Sequence, residues 1–353
     1  MSLDLIKTYE TYDADEISYG VEHLGVQVHI AWEGTRDIKI PTAYKSVKNI
    51  VIVGMGGSAL GPHLLVTAMQ DDLKVPVQIV RDYHIPAYAR RDSLIILSSF
   101  SGNTEEVLQA AKEARTRKLK TVIIATGGKL QAYAKRHKVP HYIFDPSDLA
   151  KEPRLGTIFN FIGIAGLLER VGLLRIHKKR VYEMAAAMEE VVASCMLNVE
   201  TEKNPAKTVA TELVGRSLMI VGAEHTAGAA HIFQNQIHET AKQWAVYHLL
   251  PELNHHLLEG LTFPKEVFKE YTVIMLRSKL YNKQIRKRFD ITAEILEEQG
   301  AHVIDYHAGG GSRLEECGEV VQFSTFVSYY LGMLNKVNPR ETPFVAMLKK
   351  KLK

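Results

Sequence analysis

The sequence predicts an α/β protein built from two copies of one parallel-sheet domain. Short runs rich in β-branched residues alternate with amphipathic stretches, a rhythm typical of a parallel sheet covered by helices on both faces. The alternation begins near Asn49, stops after Pro146 and restarts near Leu218. Residues 50–63 also match residues 218–231 at a constant offset, which indicates a duplicated domain.

The first sheet domain is predicted to span residues 46–150, after an N-terminal helical segment of residues 1–45. Its strands are the runs richest in Val, Ile and Leu, and its helices are the stretches with helical periodicity. The predicted strands are Ile50–Val53, Val77–Val80, Leu94–Leu97 and Val122–Ala125. The predicted helices are Leu60–Met69, Glu105–Arg117 and Lys129–Arg136.

A helical linker, residues 151–204, separates the two domains, and the second sheet domain spans residues 205–334. Residues 335–353 form a C-terminal segment. The predicted linker helices are Thr157–Leu174 and Lys178–Val199. The second domain has predicted strands at Leu218–Val221, Val273–Leu276 and Val303–Tyr306, and helices at Thr226–Lys242, Asn282–Gln299 and Val320–Leu334. The repeat pairs Gly54 with Gly222, Ser58 with Thr226, Ala59 with Ala227 and His63 with His231.

The composition is that of an average soluble enzyme. Of 353 residues, 46% are hydrophobic and 24% are charged, and the formal net charge is only +4. Basic residues are dispersed along the sequence apart from the lysine-rich tail, so no nucleic-acid partner is expected. The two cysteines, Cys195 and Cys317, predict neither a disulfide framework nor a cysteine-based zinc site. No signal peptide and no membrane-spanning run is predicted, so we expect a cytoplasmic protein without a membrane partner.

A hydroxyl-rich loop, residues 98–104, follows the strand Leu94–Leu97 and precedes a predicted helix. Its serines, its threonine and the free N–H groups of the helix start can all donate to one anion, and phosphate has the right size and charge. The alternative is an ordinary helix cap at Thr104. A cap accounts for one hydroxyl and leaves Ser99, Ser101 and Gly102 unexplained, so we favour an anion site.

A glycine-rich loop lies between the first strand and its helix. Residues 54–61 fit the dinucleotide fingerprint, and Asp82 ends the next strand at about the distance that a ribose contact needs. The same glycines allow backbone N–H groups to approach a sugar phosphate, with Ser58 adding a hydroxyl. A tight strand-to-helix turn without any ligand is the third interpretation. Neither loop has the lysine of a nucleotide triphosphate-binding loop.

These motifs together resemble a known family. Gly56-Gly57-Ser58 after the first strand, followed by Ser99-x-Ser101-Gly-Asn-Thr-x-Glu, is similar to the sugar isomerase (SIS) domain. Glu239-Thr240-Ala241-Lys242, the run Pro251-Glu-Leu-Asn-His255 and Pro153-Arg154 resemble the bifunctional phosphoglucose/phosphomannose isomerase family. The likeness covers roughly residue 45 to the C-terminus, and the sixteen-residue spacing from Glu239 to His255 is its more specific part.

The resemblance implies two tandem SIS domains, each a parallel sheet flanked by helices in an αβα sandwich, paired in a homodimer. It implies that the substrate phosphate binds Gly57, Ser58, Ser99, Ser101 and Thr104. Glu239 is then the base that moves a proton between C2 and C1, and Arg154 binds substrate and stabilises the enediolate. His255 of the partner subunit and Lys349 assist ring opening, and Thr342 leaves room for both C2 epimers.

The chemistry of the reaction agrees with these residue types. One carboxylate can carry the C2 proton to C1, a histidine can exchange a proton with the ring oxygen near neutral pH, and an arginine is a fixed cation for the enediolate oxygen. No cofactor and no metal is required. His238-Glu239 begins an H-E-x-x-H zinc motif, but Lys242 occupies its fifth position, so the motif fails.

Each of these residues also has an ordinary structural interpretation. Glu239 can be a solvated helix residue paired with Gln243 or Lys242, and Arg154 can cap the linker helix. His255 can be a simple loop histidine, and Lys349 lies among other lysines. The sequence also departs from the family, because His-His-Leu stands at residues 255–257 where the family has His-Asn-Glu. That departure changes the groups that orient the imidazole.

The sequence therefore predicts an enzyme that interconverts aldose and ketose 6-phosphates. Glucose 6-phosphate and fructose 6-phosphate are the leading substrates, and mannose 6-phosphate is the second aldose. Three alternatives stay open. One is a sugar-phosphate-binding regulator, for which residues 1–45 lack a basic helix-turn-helix. The others are a dinucleotide-dependent oxidoreductase and an amino-sugar phosphate isomerase or deaminase.

Overall fold

The runs of Val, Ile and Leu form strands, and the strands that the structure describes pair with one another in parallel. The computed structural model describes residues 2–264 and 266–352. The strands are β1 (Asn49–Val53), β2 (Val77–Val80), β3 (Ser93–Ser99), β4 (Lys120–Ala125), β5 (His141–Ile143), β6 (Ser217–Ala223), β7 (Ala245–Leu250), β8 (Tyr271–Arg277) and β9 (His302–His307). The helices are α1 (Ile6–Tyr12), α2 (Ile17–Glu22), α3 (Leu24–Gly34), α4 (Gly57–Ala68), α5 (Glu105–Thr116), α6 (Gly128–His137), α7 (Thr157–Arg170), α8 (Lys178–Cys195), α9 (Pro205–Glu212), α10 (Ala227–Gln236), α11 (Lys283–Glu298), α12 (Arg313–Leu334) and α13 (Pro343–Lys351).

The first sheet has the strand order β2-β1-β3-β4-β5. Its central strand β3 is buried along its whole length, as expected for a strand covered by helices on both faces. The strand order changes direction between β1 and β3, because β2 lies on one side of β1 and β3 lies on the other. At this point Val53 is paired with Leu97. Ligands of open α/β sheets bind at such a point, beyond the carboxyl ends of the strands.

The second sheet repeats this arrangement with the order β7-β6-β8-β9. Val221 of β6 is paired with Met275 of β8, the same relation that joins β1 to β3. Gly54 and Gly222 hold corresponding places, because a Cβ added to either would press on residues of the turn that follows: Ser58 in the first case and Thr226 in the second. The matching topology and turns support the duplication that the sequence indicates.

Several elements differ from the sequence prediction. Strands β5 and β7 were not predicted, because both lie at sheet edges and carry polar residues on half-buried faces. The short helix α9 was also missed. The predicted helix Thr226–Lys242 is wrong in its last third, since α10 ends at Gln236 and a π-helical turn, Ile237–Ala241, follows. Helix α12 begins at Arg313 instead of Val320, because its first turn is polar.

The chain divides into two compact units. The first unit consists of His23–Met188 and Arg313–Cys317, and the second consists of Met1–Glu22, Glu189–Ser312 and Gly318–Lys353. In the first unit α7 is buried from Thr157 to Leu168 and packs against α3 and α4, so it is a core helix. The domain limits read from the sequence stay a prediction. Among the described helices none combines the length and the hydropathy that a membrane crossing needs.

Candidate active site

The serine loop, residues 98–104, begins where β3 ends. The hydroxyls of Ser99 and Thr104 are hydrogen-bonded to each other at 2.7 Å. Ser98 has a different partner, because its hydroxyl donates to the carbonyl of Ser58 at 2.9 Å and its oxygen lies 2.7 Å from Nδ2 of Asn160. Asn160 is a buried positioning residue that the sequence reasoning missed. Ser98 therefore fixes the loop, whereas Ser99 and Thr104 form a hydroxyl pair suited to an anion.

The glycine-rich loop after β1 is joined to the serine loop. The side-chain oxygen of Ser58 accepts the backbone N–H of Phe100 at 2.7 Å. Because that oxygen is the acceptor, the hydroxyl proton of Ser58 is available to donate. A Cβ on Gly54 would lie 2.7 Å from the carbonyl oxygen of Ser58, so only glycine allows this turn to close. The two loops thus form one hydroxyl-lined surface at the carboxyl ends of β1 and β3, in which Thr104 is partly exposed and Ser58 and Ser99 are buried.

Arg154 lies next to this surface. A Cβ on Gly57 would stand 2.7 Å from the carbonyl oxygen of Pro153 and 3.1 Å from the backbone nitrogen of Arg154. The Arg154 side chain is only 1% exposed, and its guanidinium is 4.0 Å from the carboxylate of Glu152. A buried guanidinium is a residue type suited to binding a phosphate or an oxyanion. The structure therefore brings the backbone of Arg154 against Gly57 and joins Ser58 and the Ser99–Thr104 pair in the neighbouring loops. Ser101 is exposed, and its hydroxyl oxygen accepts the backbone N–H of Asn103 at 3.2 Å.

A third loop, residues 126–128, supports the serine loop and was missed from the sequence. The backbone N–H of Thr126 donates to the carbonyl of Phe100 at 2.9 Å, and the N–H of Leu130 donates to the carbonyl of Gly102 at 3.0 Å. Gly102 has φ +66°, and a Cβ there would collide with the carbonyl oxygen of Gly127. The adjacent glycines directly after β4 were the signal that could have revealed this loop.

Glu239 lies in the π-helical turn that continues α10. Such turns are rare and occur often at functional sites, because they redirect side chains out of the helical register. The ammonium of Lys242 donates to the carbonyl oxygens of Glu239 at 2.8 Å and Asn338 at 2.6 Å. The amide of Asn335 also donates to the carbonyl of Ala241 at 2.9 Å. The backbone around Glu239 is therefore held rigidly while its side chain is half-buried.

The remaining predicted residues lie on other elements of the second unit. His255 is exposed at the end of a 3₁₀ turn, Glu252–His255, whose Asn254 is bonded to Thr292 and Arg288. Thr342 is half-buried and directly precedes α13, and Lys349 is exposed in the last turn of that helix. The roles of these residues stay predictions. Within the described ranges, 2–264 and 266–352, no three His, Cys, Asp or Glu side chains are grouped to hold a metal ion.

The corresponding loop of the second sheet has lost the hydroxyl surface. Tyr281, 3% exposed, is hydrogen-bonded through its hydroxyl to Thr226 and donates to the carbonyl of Leu276 at 2.8 Å. Its ring stacks on Phe289 with the ring centres 5.4 Å apart. An aromatic ring thus fills the space that the serine loop leaves to polar groups.

Comparison with known protein families identifies the class of protein. Residues 43–146 match the SIS domain, and residues 202–352 match the bacterial phospho-glucose isomerase C-terminal SIS domain. Both predicted SIS domains are confirmed, each with a parallel sheet flanked by helices. A crystal structure of a hypothetical protein from Thermus thermophilus has the same fold, with a TM-score of 0.76 and 18% identity, over 98% of this chain and 92% of that chain.

Full-length relatives give the family. A bifunctional phosphoglucose/phosphomannose isomerase of Caldicellulosiruptor bescii is 32% identical over 94% of this chain and 97% of its own length. A protein of the same name from Aquifex aeolicus is 28% identical over 87% of this chain and 91% of its own. The chain belongs to the bifunctional phosphoglucose/phosphomannose isomerase family, as its sequence motifs predict.

Proposed function

We propose that this protein interconverts glucose 6-phosphate and mannose 6-phosphate with fructose 6-phosphate. The observation that carries this proposal is the surface formed by Ser58, Ser99 and Thr104 beside the buried Arg154. Neutral donors and a guanidinium at the carboxyl ends of parallel strands suit a phosphate ester. Family membership supplies the reaction class, an aldose–ketose isomerisation.

The chemistry moves one proton from C2 to C1 and one hydroxyl proton from O2 to O1, and the carbon skeleton of the sugar is unchanged. In the open-chain aldose, the Glu239 carboxylate removes the C2 proton, and the electron pair of that C–H bond forms the double bond of an enediolate. The carboxylic acid then returns the proton to C1 while the hydroxyl proton of O2 passes to O1, so that C2 becomes the carbonyl carbon of the ketose. Negative charge develops on the substrate oxygen during this step, and the Arg154 guanidinium stabilises it.

Ring opening precedes the proton transfer. We propose that the protein acts as a homodimer in the cytoplasm, where the partner subunit's His255 exchanges a proton with the ring oxygen together with Lys349. Thr342 leaves space for a hydroxyl in either configuration at C2, which permits both aldoses. His256 and Leu257 replace the Asn-Glu of the family, so the imidazole of His255 is oriented by different neighbours.

A coupled assay with the three hexose 6-phosphates tests the proposed function. We expect turnover of all three without added metal or nucleotide, and failure to isomerise any of them would contradict the proposal. Glucosamine 6-phosphate should be included, because a D-glucosamine-6-phosphate 4-epimerase of Sulfolobus acidocaldarius is 26% identical over 61% of this chain. Turnover of that substrate alone would favour amino-sugar chemistry. A nicotinamide cofactor should leave Tm unchanged, since a dehydrogenase would be stabilised by it.

A further inference from the structure

Two neighbouring cavities lie at the amino edge of the first sheet, where β4 and β5 begin and α5 and α6 end. Their volumes are about 400 Å³ and 360 Å³. They share part of their lining, namely Pro41, Lys138, Val139 and Pro140. Together they have the size of an ordinary small-molecule site. Helix α5 has 12 residues, so about 18 Å separates this edge from the serine loop at the other end of the helix.

The walls of these cavities carry positive charge only. The larger cavity is lined by Arg115, Lys118 and Lys138, and the smaller by Lys39, Lys135 and Lys138. Among the residues that the structure describes, no Asp or Glu lines either of them. In the part of the chain that the structure describes, no ion pair involves any of these five cations. Residues that are scattered along the sequence are thus gathered into one basic site.

One contact inside the larger cavity shows how crowded the positive groups are. The Arg115 guanidinium donates to Nε2 of His137 at 2.8 Å, which requires an unprotonated imidazole. Burial, and then the charges of Arg115 and Arg136, lower the pKa of His137 from its ordinary value. The ring of Tyr133 packs edge-on against the same imidazole with the ring centres 4.5 Å apart. The Arg115 cation is therefore held beside the imidazole of His137, and no described Asp or Glu side chain lines this cavity.

The negative ends of two helix dipoles offset only part of this positive charge. Cations are favourable at helix C-termini, and both α5 and α6 end here. Each terminus contributes roughly half a negative charge, so two helices offset about one of the five cations. All five side chains are exposed, so the remaining positive charge is accessible to an anion from solution.

Two of the lysines also occupy unfavourable backbone positions. Lys118 and Lys138 follow α5 and α6 with φ values of +55° and +54°. Glycine is the preferred residue at such left-handed positions, and a residue with a Cβ costs about 1 kcal/mol there. Glycine at either position would relieve the backbone, so these two lysines allow the effect of the charge on ligand binding to be separated from its effect on folding.

We propose that these two cavities bind one small ligand that carries two linked phosphate groups. One phosphate lies in the larger cavity with Arg115 and Lys118, and the other lies in the smaller cavity with Lys39 and Lys135. Lys138 lines both cavities and binds both phosphates. The rigid ring of Tyr44, held by hydrogen bonds between its hydroxyl and the backbone of Thr121 at 3.2 and 3.3 Å, lies on the larger cavity and offers a surface for a planar group.

Titration calorimetry with the full-length protein tests this proposal. The probes are pyrophosphate, ATP and orthophosphate, each at low and high salt. We expect pyrophosphate to bind much more tightly than orthophosphate, with an affinity that falls as salt is added. If ATP binds more tightly still, the ligand is a nucleotide; if ATP and pyrophosphate bind equally, the linked phosphates alone are recognised. Equal affinities for orthophosphate and pyrophosphate would overturn the proposal.

Glycine variants separate ligand binding from folding. Lys138→Gly removes a charge but relieves the left-handed backbone, so we expect Tm to be unchanged or higher. Its affinity for pyrophosphate should fall about fivefold. Adding Arg115→Gln should lower that affinity by a similar further factor. Lys336→Gly is the matched control, because Lys336 is exposed at φ +58° and lies outside both cavities. Ser99→Ala should leave pyrophosphate binding intact. An equal loss in the Lys336 variant, or tighter binding of a single-stranded oligonucleotide than of pyrophosphate, would contradict a built small-ligand site.

Discussion

The loop after β3 and the loop after β8 show what duplication kept and what it discarded. Thr104 and Asn282 are the N-cap residues of the helices that follow, so the backbone reaches the helix start after the same number of residues. Ser101-Gly102-Asn103 precedes the cap in the first loop, and Lys279-Leu280-Tyr281 precedes it in the second. The scaffold is the same in both units. Whether it exposes hydroxyls or fills the space with an aromatic ring depends on a few side chains.

The last residue of each strand makes the same point. Ser99 ends β3, and Arg277 ends β8. Arg277 has the charge that an anion needs, but its guanidinium is paired with the carboxylates of Asp290 and Asp305, both at 2.6 Å. These carboxylates neutralise the charge that a phosphate would need. A cation at the correct end of a strand is therefore not sufficient for an anion site.

The largest expected effect tests whether the two units have different tasks in the reaction. Glu239→Gln removes the proposed base and keeps the size of the side chain, so kcat should fall about a hundredfold to ten-thousandfold. KM should stay within about twofold, because the phosphate loops are untouched. Glu298→Gln is the control, because Glu298 is an exposed carboxylate on α11, and it should leave kcat and KM unchanged. Unchanged kcat in the Glu239 variant would remove this residue as the base.

The second prediction concerns the shape of the serine loop. Gly102→Ala introduces both a left-handed alanine and a collision with the carbonyl of Gly127. We expect a loss of about 3 kcal/mol in the free energy of unfolding, together with weaker substrate binding. Gly172→Ala is the matched control, since its φ is +73° and nothing lies within 4 Å of the added methyl group. It should cost only about 1 kcal/mol. Equal losses in the two variants would show that the Gly127 contact is unimportant.

The third prediction compares the hydroxyls of the two loops directly. Ser99→Ala and Thr104→Val each remove one hydroxyl of the bonded pair that is proposed to bind the substrate phosphate, so KM should rise about tenfold in each variant. Steady-state kinetics with fructose 6-phosphate measure this effect. The fold itself should be little affected, because Ser98 and Ser58 hold the loop through other bonds.

Tyr281→Phe is the corresponding experiment on the loop after β8 in the second unit. It removes the hydroxyl that is bonded to Thr226 and Leu276, which should lower the free energy of unfolding by about 1–2 kcal/mol. KM should not change, since this loop is occupied by its own side chains. A rise in KM as large as that of the Ser99 variant would show that both loops bind substrate.

The sequence was informative about strands and hydroxyls and less so about turns. Continuous Val, Ile and Leu runs predicted β1 to β4 to within a few residues, because buried parallel strands need apolar side chains on both faces. The edge strand β7 was missed because Tyr247 and His248 interrupt its apolar pattern. Helical periodicity continued through Glu239, yet the backbone adopts a π turn there. A change from i+4 to i+5 hydrogen bonding leaves no mark in an apolar pattern.

The candidate site was predictable where side chains carry the chemistry. Ser58, Ser99 and Thr104 stood out because several hydroxyls follow strands, and the structure brings them together. Residues 126–128 did not stand out, since their contribution is the backbone shape that accommodates Gly102. The basic cavities were also invisible in the sequence, because the cations that line them are spread from Lys39 to Lys138.

The smallest expected effect uses a pair of histidines that the repeat places at the same position. Burial, reinforced by the charge of Arg81, lowers the pKa of His63 to about 4, whereas His231 stacks on Tyr247 with the ring centres 4.7 Å apart. The unfolded chain binds a proton at His63 with the ordinary pKa near 6.5. Since the unfolded state binds more protons between pH 6.5 and 4, the protein must lose stability as the pH falls through this window.

Between pH 7 and 5.5, the His63 contribution to this loss should be about 1 kcal/mol. His63→Gln keeps a polar side chain that does not titrate, so Tm of the variant should fall less steeply over this range than Tm of the wild type. His231→Gln is the matched comparison at the other copy of the helix. If the two variants change the dependence of Tm on pH equally, the burial of His63 does not distinguish it from His231. If only His63→Gln makes the fall of Tm with pH less steep, the two equivalent histidines differ through their surroundings alone.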